Sequence, residues 1–180
     1  SAEAAVLRTS LVPGALTVVQ HNRSHGQKDL RLFEIGNVFG LRGEKPGTSL
    51  DAYVEEERLL VLLSGTAFSA QYGSEHRAAD LFDLKGEVQA LLSKFCLDKY
   101  RFICYDSVSA LIESALAVEI NGTYAGFLGE VGKSIAQGFD IDGALFVCEL
   151  RVADLQGGWT TEKKLIPLPR FPSVHRDLAF

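Results

Sequence analysis

Glu34 and Gly36 are the first residues in this chain that invite a chemical reading, because both interrupt an otherwise apolar stretch, Leu30 to Phe39. A carboxylate set among apolar neighbours must be paired or hydrogen-bonded. The structural reading, a partner such as Arg8 or Arg31, is favoured over catalysis. His21 and His25 stand at i, i+4 and have the spacing of two metal ligands on one helix face. No third ligand at suitable spacing accompanies them, and histidine near a helix C-terminus is already favoured by the helix dipole. Asp140-Ile141-Asp142-Gly143 has the start of a calcium loop but not the glutamate such a loop carries at its twelfth position, so it reads as a turn. No serine lies on a Gly-x-Ser-x-Gly elbow, which removes one hydrolase class. Cys96, Cys104 and Cys148 are isolated in or beside apolar runs and read as buried free thiols of a reducing compartment. No Cys-x-x-Cys pair argues for zinc.

The elements that must position these residues follow from local pattern. Ser10 is a good N-cap, Pro13 falls in the first helical turn, and Leu11, Ala15, Val18, Val19 and Asn22 recur at helical spacing up to a stop at Gly26. Leu30 to Phe39 then reads as a strand, with Phe33, Ile35 and Phe39 on one face and Leu32, Glu34 and Val38 on the other. Apolar residues on both faces predict a strand covered on both sides. Gly40 to Val54 reads as a loop, Leu59 to Leu63 as a short buried strand, and Ala67 to Ala79 as loop or ragged helix.

Asp80 can cap a helix whose stripe is Leu81, Leu84, Val88, Leu91, Leu92 and Phe95. Gly86 inside that helix costs about 1 kcal/mol relative to alanine, which a close approach of another backbone would justify. Tyr100 to Tyr105 reads as a strand. Asn121-Gly122 between alternating runs predicts a hairpin, with Leu116, Val118, Ile120, Thr123, Ala125 and Phe127 on one face. Ser134 to Phe139 reads as a helical turn or two, Leu145 to Leu150 as a buried strand, and Ala153 to Leu155 as a helix start. Together these predict an α+β fold, a mostly antiparallel sheet flanked by helices.

The chain has 180 residues, 47% of them hydrophobic and 23% charged, with a net charge of −5. That composition suits a globular domain with a proper core and advertises no general basic surface for nucleic acid. No apolar run reaches the length of a membrane span, and no signal-peptide pattern opens the chain. From Lys163 onward three prolines fall within six residues, which predicts an extended linker before a strand at Arg176 to Phe180.

Four stretches carry a family resemblance. Leu-Arg-Thr-Ser-Leu-Val-Pro-Gly at 7–14, Leu-Phe-Glu-Ile-Gly-Asn-Val-Phe at 32–39, Asp-Leu-Lys-Gly-Glu-Val at 83–88 and Phe-Pro-Ser-Val-His-Arg-Asp-Leu at 171–178 occur in one order. In that order they resemble the core domain of the bacterial phenylalanyl-tRNA synthetase beta chain. The resemblance implies the fold of class II aminoacyl-tRNA synthetase catalytic domains, with residues 1–162 as the core. Residues 163–180 would then be the linker into a ferredoxin-like anticodon-binding domain of a longer chain.

Class II catalytic domains bind ATP through an arginine in Phe-Arg-x-Glu and a second after a glycine-rich strand. Here Phe39 is followed by Gly40, Leu41 and Arg42, and Arg151 follows the bulky Leu145-Phe146-Val147-Cys148. The chain also departs from its own family after the hairpin, where Gly129 leads into Glu130-Val131-Gly132-Lys133 instead of Gly-x-x-His-Pro. The resemblance therefore implies no catalytic, ATP-binding or metal residues in this segment. Its structural or interface candidates are Arg8, Ser10, Glu34, Gly36 and Gly86. ATP and Mg²⁺ would serve the holoenzyme, in which a cytoplasmic alpha subunit charges tRNA(Phe) within an (αβ)₂ heterotetramer. The alternative is a free-standing ligand-binding or regulatory domain built on the same fold. A domain that supports a partner is further expected to expose apolar surface.

Overall fold

The structure, a computed structural model, describes residues 7–43, 50–67, 77–95, 97, 99–105 and 111–157. The predicted tail, Cys96 and most of the stretch from Ala67 to Ala79 lie outside these. Among the described residues six strands form one antiparallel sheet in the order β1-β2-β6-β5-β4-β3. They are β1 (Leu30–Leu41), β2 (Tyr53–Ser64), β3 (Tyr100–Tyr105), β4 (Ile112–Ile120), β5 (Thr123–Val131) and β6 (Leu145–Arg151). Helices α1 (Val12–Ser24) and α3 (Lys133–Gly138) cover one face, and α2 (Leu81–Lys94) and α4 (Val152–Gln156) the other. The expected α+β architecture is therefore present.

Two cores lie on opposite sides of the sheet. Leu11, Val12, Ala15, Leu16 and Val19 bring α1 onto Leu60, Leu62 and Val147. On the other side Leu84, Val88 and Leu92 bring α2 onto Val118, Leu128, Cys148 and Leu150. Strand β6 is buried along nearly its whole length because it is central and covered by both layers.

Helix α2 starts where the sequence placed it. Asp80 accepts from the Asp83 N–H at 2.9 Å, and the Asp83 carboxylate accepts from the Asp80 N–H at 2.8 Å. The β4–β5 turn is also as read: Asn121 and Gly122 have φ of 53° and 80°, the left-handed pair a tight hairpin demands.

Several local expectations change. The stretch from Gly40 to Val54 is not all loop, since β1 runs to Leu41 and β2 starts at Tyr53. On α1 the buried positions are Val12, Ala15, Leu16 and Val19, whereas Val18 is exposed. Past the hairpin, Ala125 is an extra residue opposite the Val118–Glu119 step, so Phe127 pairs with Ala117 and turns to the α1 face. Gly126 sits at that irregularity because a Cβ there would fall 2.0 Å from the Glu149 carbonyl oxygen. Cys148 is buried as expected and Cys104 is exposed.

The largest correction concerns β1. It is an outermost strand, and its α2-side face is not covered: Phe33 is 76% exposed and Ile35 57%. Alternating apolar residues report two faces but cannot say whether a strand is central or at an edge.

Candidate functional site

A buried polar network lies where the segment before α1 meets β2 and β6. Glu149, on β6, is fully buried. Its Oε2 accepts from Ser10 Oγ at 2.6 Å and from the Leu11 N–H at 3.2 Å, and its Oε1 accepts from Arg58 Nη1 at 3.2 Å. Ser10 Oγ in turn accepts from the Val12 N–H at 3.1 Å. Ser10 thus caps α1 from one residue ahead of the N-cap position, which Leu11 holds. Arg58 is shared, since its Nη2 also donates to Glu56 Oε2 at 2.7 Å.

Beside this network lies an open cavity of about 260 Å³, lined in part by Thr9, Val38, Phe39, Val54, Glu56 and Arg58. Tyr124 shares the same surroundings. Burial pushes its phenol up, nearby Tyr105 adds to this, and Arg58 opposes it. Arg151, at the end of β6, donates from Nε to Asp154 Oδ2 at 2.7 Å and from Nη2 to the Tyr124 carbonyl.

A second, outer cluster joins three of the candidates read from sequence. Arg8 donates from Nη1 to Glu34 Oε1 at 2.7 Å and from Nε to the Asn37 carbonyl at 2.8 Å. Its guanidinium lies over Gly36, where a Cβ would be 2.2 Å from Nη2. Gly36 is therefore explained by the side chain crossing it. Glu34 has the expected Arg8 partner, although its side chain is 37% exposed rather than buried. Arg31 donates to the Ala67 carbonyl and approaches Glu87 instead.

Gly86 is apart from both clusters, on the outer side of α2. No atom lies within 4 Å of its would-be Cβ, so no backbone of the described chain approaches it. His21 and His25 lie with ring centroids 4.5 Å apart, and His25 Nδ1 is 2.8 Å from the His21 carbonyl oxygen. Among the described residues no three His, Cys, Asp or Glu side chains gather as a metal site would need.

Sequence reading missed Glu149, Arg58 and Glu56. The signal was present for Glu149, a carboxylate inside the apolar run Leu145 to Leu150 just as Glu34 is in its own. Arg58 followed three glutamates, which reads as a solvated edge.

Comparison with known proteins places this geometry. Residues 1–152 match the family described as the phenylalanyl tRNA synthetase beta chain CLM domain. The phenylalanine–tRNA ligase beta subunit of Salinibacter ruber is 38% identical over 99% of this chain, and that of Chlorobium chlorochromatii 32% over 97%. This chain spans 22% of the length of either relative. The fold is that of pyrrolysyl-tRNA synthetase from Desulfitobacterium hafniense, with a TM-score of 0.58 at 16% identity over 82% of this chain and 48% of that one. With the family model matching residues 1–152, which hold three of the four sequence stretches, the chain belongs to the phenylalanyl-tRNA synthetase beta chain CLM domain family.

Proposed function

We propose that this domain is a non-catalytic structural core of a phenylalanine–tRNA ligase beta subunit. It supports an alpha subunit that charges tRNA(Phe) in an (αβ)₂ assembly in the cytoplasm, and ATP and Mg²⁺ act in that holoenzyme rather than here. The observation that carries the reading is the way the cations of the cleft are already committed. A polyphosphate is held by arginine forks left open to it. Arg58 instead spans Glu56 and the buried Glu149, and Arg151 spans Asp154 and the Tyr124 carbonyl. Glu149 likewise turns both oxygens to protein donors. ATP and Mg²⁺ do not fit residues so disposed, and no step is assigned to them.

Among the other proposals, Arg8, Ser10, Glu34 and Gly36 shape the segment before α1, and Gly86 leaves the outer side of α2 bare. Residues 1–162 form the core and 163–180 the link to a following domain. Calorimetric titration of this chain with ATP and Mg²⁺ tests the reading, which expects no heat of binding at millimolar nucleotide. Micromolar affinity would overturn it. In the assembled ligase, Arg151→Ala should lower the melting temperature and leave the KM for ATP unchanged, whereas a rise in that KM would place nucleotide on this domain.

A further inference from the structure

The free edge of β1 is limited to a definite length. Backbone groups of a strand point alternately to either side, and β1 keeps an unbroken register with β2 from Leu30 to Leu41. The Phe39 N–H donates outward to the Arg8 carbonyl at 2.8 Å, and the Asn37 carbonyl accepts from Arg8 Nε at 2.8 Å. Residues 31, 33 and 35, of the same parity, therefore also direct their N–H and C=O groups away from β2. Among the described residues no strand pairs with them. Arg8 closes the edge at 37–39, so the open stretch is Arg31 to Ile35, with Phe33 at its centre. The side chains of Phe33 and Ile35 are the exposed apolar pair of this strand.

We infer that this edge pairs with the same edge of a second copy of the chain, antiparallel, with a twofold axis at Phe33. An isologous contact requires that the segment read the same from both ends, and register here is narrowly chosen. With the axis at Phe33, the open groups of residues 31, 33 and 35 face each other and make about six backbone hydrogen bonds. Phe33 meets its own counterpart, an aromatic cross-strand pair, and Arg31 meets Ile35. Leu32 meets Glu34, whose charge its own Arg8 already balances. No like charges stand opposite each other.

Shifting the axis to Glu34 places two carboxylates face to face and drives Arg31 against the Asn37 position, where Arg8 already sits. The charges and the Arg8 closure thus favour a like partner over an arbitrary strand. The contact is short, about 17 Å of strand, so the dimer is weak and concentration-dependent.

Sedimentation equilibrium of the chain from about 10 to 500 µM reads this directly. The mass should rise toward the dimer, and Val18→Lys, at an exposed apolar site on α1, should leave that rise unchanged. Phe33→Lys and Phe33→Glu should each weaken association about tenfold or more, because each sets like charges together on the axis. An equimolar mixture of the two variants should dimerise again, since only the mixed pair sets a lysine against a glutamate on the axis; far-ultraviolet circular dichroism melts confirm that both fold. A wild type monomeric throughout, Phe33→Lys dimerising like the wild type, or no rescue on mixing would each overturn the proposal. So would a monomeric wild type that a ligase alpha subunit captures through Phe33, which would give this edge to a different chain.

Discussion

Glu34 and Glu149 are two answers to one problem, a carboxylate in an apolar strand. Each meets an arginine, and each ties the segment before α1 to the sheet. They differ in where their strands lie. β1 is outermost and leaves the Glu34 side chain 37% exposed, whereas β6 is central and leaves Glu149 none. An exposed ion pair exchanges water for a partner at little net gain. A carboxylate without water depends on protein donors at both oxygens, and losing one partner strands the rest. The same residue type is therefore a surface tether in one place and a structural keystone in the other.

The sharpest test of that contrast is Glu149→Ala. It leaves Ser10 Oγ, the Leu11 N–H and one arm of Arg58 without their acceptor, which should cost about 3–5 kcal/mol. At roughly 2–4 °C per kcal/mol for a chain of this size, the melting temperature should fall by about 6–20 °C. A fall of only a degree or two would mean that the buried carboxylate is readily replaced. Ser10→Ala removes one of those donors and the bond to the Val12 N–H, for about 1–3 kcal/mol by denaturant titration. An effect as small as that of a surface serine would dissolve the distinction.

Asp83 is an intermediate case, a partly exposed carboxylate that also accepts a backbone N–H. Its hydrogen bond to Arg77 holds it below the ordinary value of 3.8, with burial opposing and the Asp80 N–H helping. A depressed carboxylate stabilises the fold above its unfolded value and loses that contribution as pH falls through its folded one. Asp83→Asn should therefore cost about 1 kcal/mol near neutrality. The difference from wild type should hold down to about pH 4 and vanish below it. A difference that grew on acidification would contradict the assigned partner.

Legibility in the sequence followed the same line between local and non-local causes. The α2 cap and stripe and the Asn121-Gly122 turn depend on neighbours within a few positions, and both are where the pattern put them. Alternation puts Phe127 on the wrong face because one extra residue at Ala125 reverses it, and the local mark of that step is Gly126, a glycine inside the strand. Phe33 and Ile35 looked buried because alternation cannot tell an edge strand from a central one. Glu149 stands out as a carboxylate in an apolar run, but its partners Ser10 and Arg58, 139 and 91 residues away, are not legible from the pattern. The site was half legible for that reason: Arg8 with Glu34 could be guessed as a pair, and the buried network could not.

The smallest expected effect, Glu34→Gln, tests the other half of the contrast. Glutamine keeps the shape and one acceptor oxygen for Arg8 Nη1, so what is removed is charge. Both partners stand in water, 43% and 37% exposed, and Arg8 keeps its bonds to the Asn37 and Phe39 backbone. Exposed pairs of this kind contribute about 0–1 kcal/mol, and salt weakens them further. The variant should thus melt within about 4 °C of wild type in low salt, and the gap should close at about 1 M salt. A loss comparable to that of Glu149→Ala, persisting in salt, would mean that the outer tether is as necessary as the buried one. Exposure would then not be what separates these two carboxylates.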